Sequence, residues 1–550
     1  MYDFRLVSSL TKVFPLTDPA PLNCMPEGLI GEEVSLQAAF RAKDEGIARA
    51  YVSIDIDSPV KEHIRLYRVR YMPVVYACPP DADDDYLSKK PGLYPDALEP
   101  AENCCLRIYA DHWESVFLTI APPDSLPAGE YPLRVTLKGE NGEVLASACT
   151  VYKRINARLP KQKLIHTRWF HTDGLCQYYN VEMWSEEFWR ICENFVREAA
   201  HMGINCLLTP VHTPPLDTRE DGERLTSQLV DVTVKNGKYS FGFTRLRRWI
   251  KMAQECGMEY FEVAHFFTQW GAKHAPKIMA TVDGEYKRIF GWGTDAVGPE
   301  YNAFLKKYIP ALRREFARLG VLDKCFFHIS DEPRESNLEF YRAAANSVKQ
   351  QLKGVKVIDA LSNIEFYKQG LVKMPVPSSN HIKPFLEENI PGLWTYYCCG
   401  QYKDVSNVFL SMPASRSRVI GVQLYKFNIA GLLQWGYNFY NNQFSGDPIN
   451  PYYEQSADYA FQGGDAFSVY PAMDGTALES PRLAVFYEGL QDIKAMKLAE
   501  SLTSHDEVVK AMEESFGRSI EFNACAKSSY EMLRVRETVN SIIKKAIESK

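Results

Sequence analysis

Two patterns of hydrophobic and polar positions divide the chain. From Val34 to about Lys153, short alternating or β-branched runs are separated by turns rich in Pro, Gly, Asp and Asn. A period of two is typical of strands that bury one face, and closely spaced short strands indicate two packed sheets. We predict an N-terminal β-sandwich, with 79–95 as a polar insertion loop and 154–163 as a linker. The predicted strands are 34–40, 51–56, 64–69, 116–120, 131–137 and 144–152.

After the linker, apolar runs alternate with amphipathic helical periods such as 186–200 and 301–316. Strands that alternate with helices indicate parallel β/α units, and eight units close most simply into a barrel. The sequence therefore predicts the α/β class. The predicted architecture is a β-sandwich domain (1–158), a catalytic (β/α)8 TIM barrel (159–500) and a helical C-terminal extension (501–550). The predicted barrel strands are 164–170, 205–209, 260–266, 325–330, 356–361, 376–380, 394–397 and 432–439.

Composition narrows the class of partner. The 550 residues include 63 basic and 69 acidic side chains, which give a net charge of −6. Such a mildly acidic chain lacks the basic surface that nucleic acid or an anionic membrane would need. No apolar run reaches the roughly 18 residues of a spanning helix, the first residues lack a signal-peptide pattern, and the 13 Cys are never spaced C-x-x-C. We expect a cytoplasmic protein with no nucleic-acid partner and no membrane insertion, and the sequence is compatible with a homo-oligomer.

The fourth predicted barrel strand ends in two adjacent acids, Asp331 and Glu332, followed by Pro333. In a barrel the active site lies at the carboxyl ends of the strands. Past the end of a strand the backbone turns, so neighbouring carboxylates can both face one pocket. The alternative is that Asp331 caps the next helix and that Pro333 enters its first turn. The residues alone leave both interpretations open.

Aromatic and polar residues follow several other predicted strands. Taken singly, each is more often part of a core, but together at strand ends they predict a sugar-binding rim. The candidate substrate-binding residues are His171, Asp173, His212, His265, Gln269, Trp270, Trp394, Tyr396, Trp435 and Tyr437.

No cofactor or metal is predicted. The chain has no Gly-rich phosphate loop and no dinucleotide fingerprint. His166 and His171 are five residues apart, and neither H-x-H nor H-E-x-x-H occurs. The aspartates of 81–85 are interpreted as part of a solvated loop.

Aromatic walls with a pair of carboxylates suggest glycoside hydrolysis. An ordinary pair flanks the scissile bond from opposite sides, roughly 5 to 9.5 Å apart, whereas sequence neighbours lie more easily on one side. Substrate assistance removes this difficulty. The carbonyl oxygen of a 2-acetamido group attacks C1, Asp331 orients the N–H and stabilises the resulting charge, and Glu332 acts as general acid and then as general base.

Six stretches carry a resemblance to a known family, glycoside hydrolase family 123. The resemblance covers about 160–500 and implies a β-sandwich, a (β/α)8 barrel and an exo-acting, retaining β-N-acetylgalactosaminidase with Asp331 and Glu332 as its catalytic pair. It also suggests sugar contacts from His265, Gln269, Trp394, Tyr396 and Trp435. The missing signal-peptide pattern is the main departure. The stretches are Trp169-Phe-His-Thr-Asp, Leu208-Thr-Pro-Val-His-Thr-Pro-Pro-Leu-Asp-Thr, His265-Phe-Phe-Thr-Gln-Trp-Gly-Ala-Lys-His-Ala-Pro-Lys, Phe290-Gly-Trp-Gly-Thr, His328-Ile-Ser-Asp-Glu-Pro and Leu432-Leu-Gln-Trp-Gly-Tyr-Asn.

The predicted partner is therefore an oligosaccharide or glycoconjugate that bears a terminal N-acetylhexosamine. Two alternatives remain at this stage. A noncatalytic glycan-binding protein would share the aromatic walls without needing two carboxylates, and a barrel hydrolase with metal-assisted chemistry would need ligands that the motifs do not supply.

Overall fold

The computed structural model describes residues 2–43, 50–101, 106–526 and 528–549. Its N-terminal part consists of two five-stranded, mostly antiparallel sheets. The strands are β1 (Tyr2–Ser8), β2 (Glu27–Ile30), β3 (Val34–Ala42), β4 (Ala50–Asp57), β5 (Ile64–Val74), β6 (Gly92–Pro100), β7 (Leu106–Ile108), β8 (Glu114–Ile120), β9 (Gly129–Gly139) and β10 (Val144–Arg158).

The two sheets pack face to face. Their strand orders are β1-β3-β8-β5-β6 and β2-β10-β9-β4-β7. Leu36 and Leu118 of the first sheet share a buried core with Val135 and Leu137 of the second. All six strands that the alternation predicted are present, as β3, β4, β5, β8, β9 and β10.

Two boundaries differ from the sequence prediction. The end of the predicted insertion loop is strand β6, which pairs with β5 although it contains Pro95 and Pro100. Because β6 lies at the edge of its sheet, proline costs it little. The start of the predicted linker belongs to β10, whose Arg154 pairs with Gly28 of β2. Polar composition alone did not reveal that these segments find hydrogen-bonding partners in neighbouring strands.

The second part is built around eight parallel strands, each followed by at least one helix. Its elements are β11 (Ile165–Arg168), α1 (Thr172–Tyr179), α2 (Glu186–His201), β12 (Cys206–Thr209), β13 (Asp231–Lys235), β14 (Lys238–Gly242), α3 (Thr244–Glu255), β15 (Tyr260–Val263), β16 (Ile278–Val282), β17 (Glu285–Phe290), α4 (Pro299–Arg318), β18 (Cys325–Phe327), α5 (Leu338–Val348), β19 (Lys356–Ala360), α6 (Glu365–Lys368), β20 (Met374–Val376), α7 (Lys383–Glu387), β21 (Trp394–Tyr397), α8 (Ala414–Lys426), β22 (Gly431–Gln434), β23 (Tyr470–Pro471), β24 (Ala477–Leu478) and α9 (Pro481–Leu502).

The eight parallel strands form a nearly closed barrel. Their order is β20-β19-β18-β15-β12-β11-β22-β21. Across the remaining gap, the backbone N–H of Tyr396 donates to the carbonyl oxygen of Pro377 at 3.0 Å. All eight predicted strands are present, and the sixth lies slightly earlier in the chain, as β20.

A four-stranded sheet, with the order β14-β13-β16-β17, was not predicted. Its two hairpins follow β12 and β15, at the carboxyl ends of the barrel strands. Because the active site of a barrel is assembled from these connections, the extra sheet enlarges the side of the barrel that carries the candidate residues.

Three helices complete the chain: α9, α10 (His505–Phe516) and α11 (Ser529–Glu548). Helix α9 packs closely on α8, since a Cβ atom added to Gly421 would lie 2.2 Å from the carbonyl oxygen of Gly489. A buried ion network joins the parts of the molecule, because Arg536 of α11 bonds Asp492 of α9 at 2.8 Å and Glu32 of the N-terminal region at 2.7 Å. Among the described residues, no helix is long and apolar enough to cross a membrane.

Candidate active site

Asp331 and Glu332 stand just beyond strand β18 and line one pocket. The backbone N–H of Glu332 donates to the carbonyl oxygen of Ala360 at 3.0 Å, and the carbonyl oxygen of Asp331 accepts the N–H of Trp270 at 2.8 Å. Glu332 has a φ of 42°, a left-handed conformation that is uncommon outside glycine. The turn at the strand end is therefore fixed from both neighbouring strands, and it brings both carboxyl groups to the pocket.

The alternative interpretation of Asp331 as a helix cap is contradicted. Helix α5 does not begin until Leu338, and its capping position is Asn337. A single turn of 3-10 helix before it starts at Glu335, with Arg334 at its capping position. Asp331 precedes both by several residues, so its carboxyl group is free of a capping role.

The pocket has aromatic walls around the two carboxyl groups. Tyr396 donates its hydroxyl to Oε1 of Glu332 at 2.5 Å. Trp169 and Trp435 form two further walls, and the ring of Phe461 lies 4.9 Å from that of Trp435 in an edge-on arrangement. Flat apolar faces with polar edges suit the two faces of a sugar ring.

The catalytic-domain model of glycoside hydrolase 123 matches residues 169–499 of the chain. The chain belongs to this family. The match confirms the resemblance found in the sequence, and it shows that the protein is a glycoside hydrolase rather than a noncatalytic glycan-binding protein.

Solved structures agree with this assignment at the level of the fold. A family 123 glycoside hydrolase from Clostridium perfringens, whose structure was analysed for glycolipid glycan hydrolysis, matches with a TM-score of 0.77 and 15% identity over 100% of this chain and 99% of its own. β-Glucuronidase 3 of Bacteroides uniformis and a β-glucuronidase of Parabacteroides merdae match with a TM-score of 0.30 at 11% and 12% identity, covering 90% of this chain and 51% of theirs. TM-scores this low do not indicate a shared fold. No curated protein matches the sequence.

A buried ion triad lies beneath the acid pair of this glycoside hydrolase. Nε2 of His328 is 2.7 Å from Oε1 of Glu262, and Nδ1 is 3.4 Å from Oδ1 of Asp359. All three side chains are fully buried. Burial alone would lower the pKa of His328, but the carboxylates of Asp359 and Glu262 outweigh it and raise this pKa to about 9. The ring is therefore an imidazolium between two carboxylates.

The triad holds the residues around the pocket in place. Glu262 accepts the indole N–H of Trp169 at 2.8 Å, which fixes one pocket wall. Asp359 accepts the backbone N–H groups of Ile329 and Ser330 at 2.9 and 3.3 Å, immediately before Asp331. Tyr341 donates its hydroxyl to the other oxygen of Asp359.

The acid pair shares its environment with this buried charge. Burial, and then the neighbouring Glu332 carboxylate, raise the pKa of Asp331 well above its ordinary range. The positive charge of His328 opposes this rise. The Asp331 carboxyl group therefore retains its proton at a pH where an isolated carboxyl group would have lost it.

Three contacts fix the orientation of Trp435. Its indole N–H donates to Oδ2 of Asp465 at 2.8 Å, and its backbone carbonyl oxygen lies 2.8 Å from Nε2 of His171. Gly436, the next residue, approaches the backbone so closely that an added Cβ atom would lie 2.4 Å from the carbonyl oxygen of Ala466. Burial raises the pKa of Asp465 to about 7. The orientation of this wall is thus determined by residues outside the pocket.

His171 and Asp173 support the pocket instead of lining it. Arg224 bonds both carboxylate oxygens of Asp173, at 2.5 and 3.0 Å, and contacts Nδ1 of His171 at 2.9 Å. Although burial would raise the pKa of Asp173, the charge of Arg224 holds it below its ordinary value. Burial and the same charge lower the pKa of His171 to about 4. The neutral ring therefore accepts from Arg224 and donates its Nε2–H to the carbonyl of Trp435.

The structure brings Gln269, Trp270, Tyr396 and Trp435 to the pocket with the acid pair. It places four other candidates elsewhere. Trp394 is buried in the barrel interior, with its ring 4.9 Å from that of Phe326. Tyr437 faces outward and donates its hydroxyl to the carbonyl oxygen of Phe195 in α2 at 3.0 Å.

His212 and His265 are the other two candidates outside the pocket lining. Nε2 of His212 is 2.7 Å from the carbonyl oxygen of His265. The ring of His265 is buried and stacks on His328, with 4.0 Å between centroids. Sequence reasoning placed these side chains at the rim because they follow strands, but a strand end presents residues to the interior and to the helices as well as to the pocket.

His265, His328 and Asp359 also bring potential metal-ligand atoms within 4.8 Å of one another. They do not fit a metal site. His328 is engaged between two carboxylates, and stacked imidazole rings direct their nitrogens along parallel planes and not toward one ion.

Several residues of the site escaped the sequence prediction. Asp217 lines the pocket as a third carboxyl group, and Oδ2 accepts the backbone N–H of Phe444 at 3.0 Å. Burial raises its pKa to about 6. Glu262 and Asp359 are each flanked by buried apolar residues in strands β15 and β19, and a single acid within a buried run is the signal that could have revealed them.

Proposed function

We propose that this family 123 enzyme releases terminal β-linked N-acetylgalactosamine, or a closely related N-acetylhexosamine, from glycans with retention of configuration. The observation that carries the proposal is the position of Asp331 and Glu332, adjacent in sequence and in one aromatic pocket. Two neighbouring carboxyl groups approach a sugar most easily from one side, so the nucleophile on the other side is best supplied by the substrate's own acetamido group.

The contacts of the pair support a division of labour. Tyr396 donates to Oε1 of Glu332, which leaves Oε2 to carry the proton for the leaving oxygen. Asp331 lies above the imidazolium of His328, whose charge favours its ionised form once substrate engages Glu332. An ionised Asp331 can accept the acetamide N–H and stabilise positive charge as it develops.

The reaction then proceeds in two steps. The acetamide carbonyl oxygen forms a bond to C1 while the glycosidic bond breaks, and Glu332 gives its proton to the leaving oxygen. A water molecule next attacks C1 as Glu332 takes up one of its protons, and the oxazolinium ring reopens. Two inversions at C1 give net retention. Trp169 and Trp435, both fixed by buried carboxylates, would hold the ring and the acetamide in the geometry that this attack needs.

A screen of aryl β-glycosides tests the proposal. The 2-acetamido galactoside should be cleaved, and the galactoside without the acetamido group should be cleaved far more slowly. Proton NMR of the first-formed product should show the β-anomer. Equal rates on both glycosides would contradict substrate assistance, and inhibition by EDTA would favour the metal-assisted alternative. Location in the cytoplasm and a homo-oligomer stay predictions.

A further inference from the structure

The three tryptophans that line the pocket among the described residues are held in two different ways. Trp169 and Trp435 each donate the indole N–H to a buried carboxylate, Glu262 and Asp465 respectively. Trp270 is 38% exposed, whereas Trp169 is 3% exposed. In the described part of the chain, the indole N–H of Trp270 has no hydrogen-bond partner. Two rings are therefore fixed walls, and the third presents an open face and an unused donor to solvent.

The exposed position of Trp270 is built into the loop that carries it. Trp270 and Ala272 have φ values of 58° and 57°, in the left-handed region that side chains other than glycine seldom adopt. Such strain persists only where surrounding contacts impose it. Here the N–H of Trp270 donates to the carbonyl oxygen of Asp331 at 2.8 Å, and Asn337 donates to the carbonyl oxygen of Trp270.

Two more contacts fix this loop. Gly271 has a φ of 135°, and a Cβ atom added there would lie 2.6 Å from Nδ2 of Asn337. The ring of Phe444 meets the indole of Trp270 edge-on, with 5.8 Å between centroids. The loop therefore holds a large apolar ring partly in water at a defined place beside the acid pair.

We propose that Trp270 is the platform of a subsite that binds the sugar ring on the leaving-group side of the scissile bond. This inference rests on the proposed function. A pyranose ring offers an apolar C–H face for stacking on the indole, and its hydroxyl oxygens can accept the free indole N–H.

The leaving-group side follows from the arrangement of the pocket. The inner walls Trp169 and Trp435 surround the space for the terminal sugar, while Trp270 is at the solvent side and is tied to the backbone of Asp331. Glu332, which gives its proton to the leaving oxygen, is the next residue in the chain. The ring attached to that oxygen therefore emerges toward Trp270.

The test compares a substrate that has a leaving sugar with one that has none. The substrates are the disaccharide of N-acetylgalactosamine β-linked to galactose, and β-N-acetylgalactosaminyl fluoride. Trp270→Ala should lower the ratio of kcat/KM for the disaccharide to kcat/KM for the fluoride by about tenfold or more. Trp270→Phe keeps a smaller ring and should give an intermediate ratio, and it serves as the test variant if the alanine variant does not fold.

Tyr286→Ala is the matched control, because Tyr286 is 63% exposed on β17 and does not line the pocket. Its ratio should equal that of the wild type. A wild-type ratio in the Trp270 variants, whether both kcat/KM values stay the same or fall equally, would overturn the subsite. In that case, turnover of both substrates by the wild-type enzyme would still uphold the proposed function. Wild-type enzyme that cleaves neither substrate would instead overturn the proposed function and the subsite with it.

Discussion

At the scale of single residues, Asp331 and Glu332 are neighbours with different surroundings. Glu332 is bonded to a tyrosine hydroxyl, and Asp331 shares the field of a buried imidazolium. A carboxyl group that must deliver a proton and a carboxylate that must stabilise charge need different environments. Replacing Asp331 and replacing Glu332 are therefore expected to change the kinetics in different ways.

Kinetics on a series of aryl leaving groups should separate the two roles. Glu332→Ala removes general acid catalysis, so kcat should fall by about 10²- to 10⁴-fold on poor leaving groups and far less on activated ones. Asp331→Asn should slow every 2-acetamido substrate by a similar factor, because charge develops at the acetamide whatever the leaving group. The same dependence on the leaving group in both variants would contradict this assignment.

The buried His328 imidazolium predicts a pH dependence of stability. Its pKa in the folded protein, about 9, lies above the ordinary value near 6.5, so folding favours the protonated ring. The stability it contributes is fully present below about pH 6.5 and is lost as the pH rises through about 9, a change of about 3 kcal/mol in the free energy of unfolding.

Urea unfolding across this range measures the effect. His328→Gln should abolish the part of the decline that lies between about pH 6.5 and 9, and Asp359→Asn should reduce it. Parallel pH profiles of wild type and both variants would show that the ring is not charged in the folded protein.

The residue scale also shows what sequence could predict. Asp331, Glu332, Tyr396 and Trp435 were identified because each directly follows or ends a strand of recognisable pattern. Trp394 is instead the first residue of its strand, at the end away from the pocket, and its side chain faces the barrel interior because of packing that no local pattern encodes. Glu262 was missed because its partners are distant in the sequence.

At the scale of elements, the segment after β22 illustrates how one loop sets a pocket wall. Trp435 is bonded at its indole by Asp465 and at its carbonyl by His171, and Gly436 allows the backbone of the following loop to approach. His171 lies in the connection after β11, whereas Gly436 and Asp465 both lie in the connection after β22. The wall therefore keeps its orientation without any contact from the substrate, which is what a preorganised site requires.

Replacing this wall should affect the chemical step as well as binding. Trp435→Ala should lower kcat and raise KM, with a combined loss in kcat/KM of about 10²-fold, because a misplaced acetamide attacks C1 less often. Steady-state kinetics on the aryl 2-acetamido glycoside would measure both constants. Asp465→Asn retains an acceptor oxygen for the indole N–H, so its kcat/KM should fall by less than that of Trp435→Ala. A folded Trp435→Ala variant with wild-type kcat and KM would show that this ring is not part of the site.

At the scale of the whole molecule, a buried ion network connects the N-terminal sheets, the barrel and the last helix. Arg536 bonds Glu32 and Asp492, and Arg418 of α8 bonds Asp492 and Glu488 at 2.7 Å each. Helical periods near the end of the chain were predictable from sequence. This network was not, because the charged residues of an amphipathic helix give no indication of which ones will be buried.

Breaking the network should destabilise the fold and leave the chemistry intact. Arg536→Ala leaves the buried carboxylates of Glu32 and Asp492 without this cation, so the free energy of unfolding should fall by about 3 to 5 kcal/mol. Lys510→Ala, at an exposed pair with Glu514 4.0 Å away, is the control and should change it by less than about 0.5 kcal/mol. Denaturant titration gives these values, and kcat of the folded Arg536→Ala variant should match the wild type. An unfolding free energy equal to that of the control would show that the network does not stabilise the fold.

The contact between Glu32 and Arg536 also joins residues that are synthesised far apart in time. They are separated by 504 positions, so at about 5 to 20 residues per second the ribosome makes the second roughly 25 to 100 s after the first. During this interval the N-terminal sheets can pair their strands, but Glu32 lacks the cation that neutralises it. The docking of α11 is therefore a late step of folding, and until it occurs the surface that this helix covers is exposed to solvent and to chaperones.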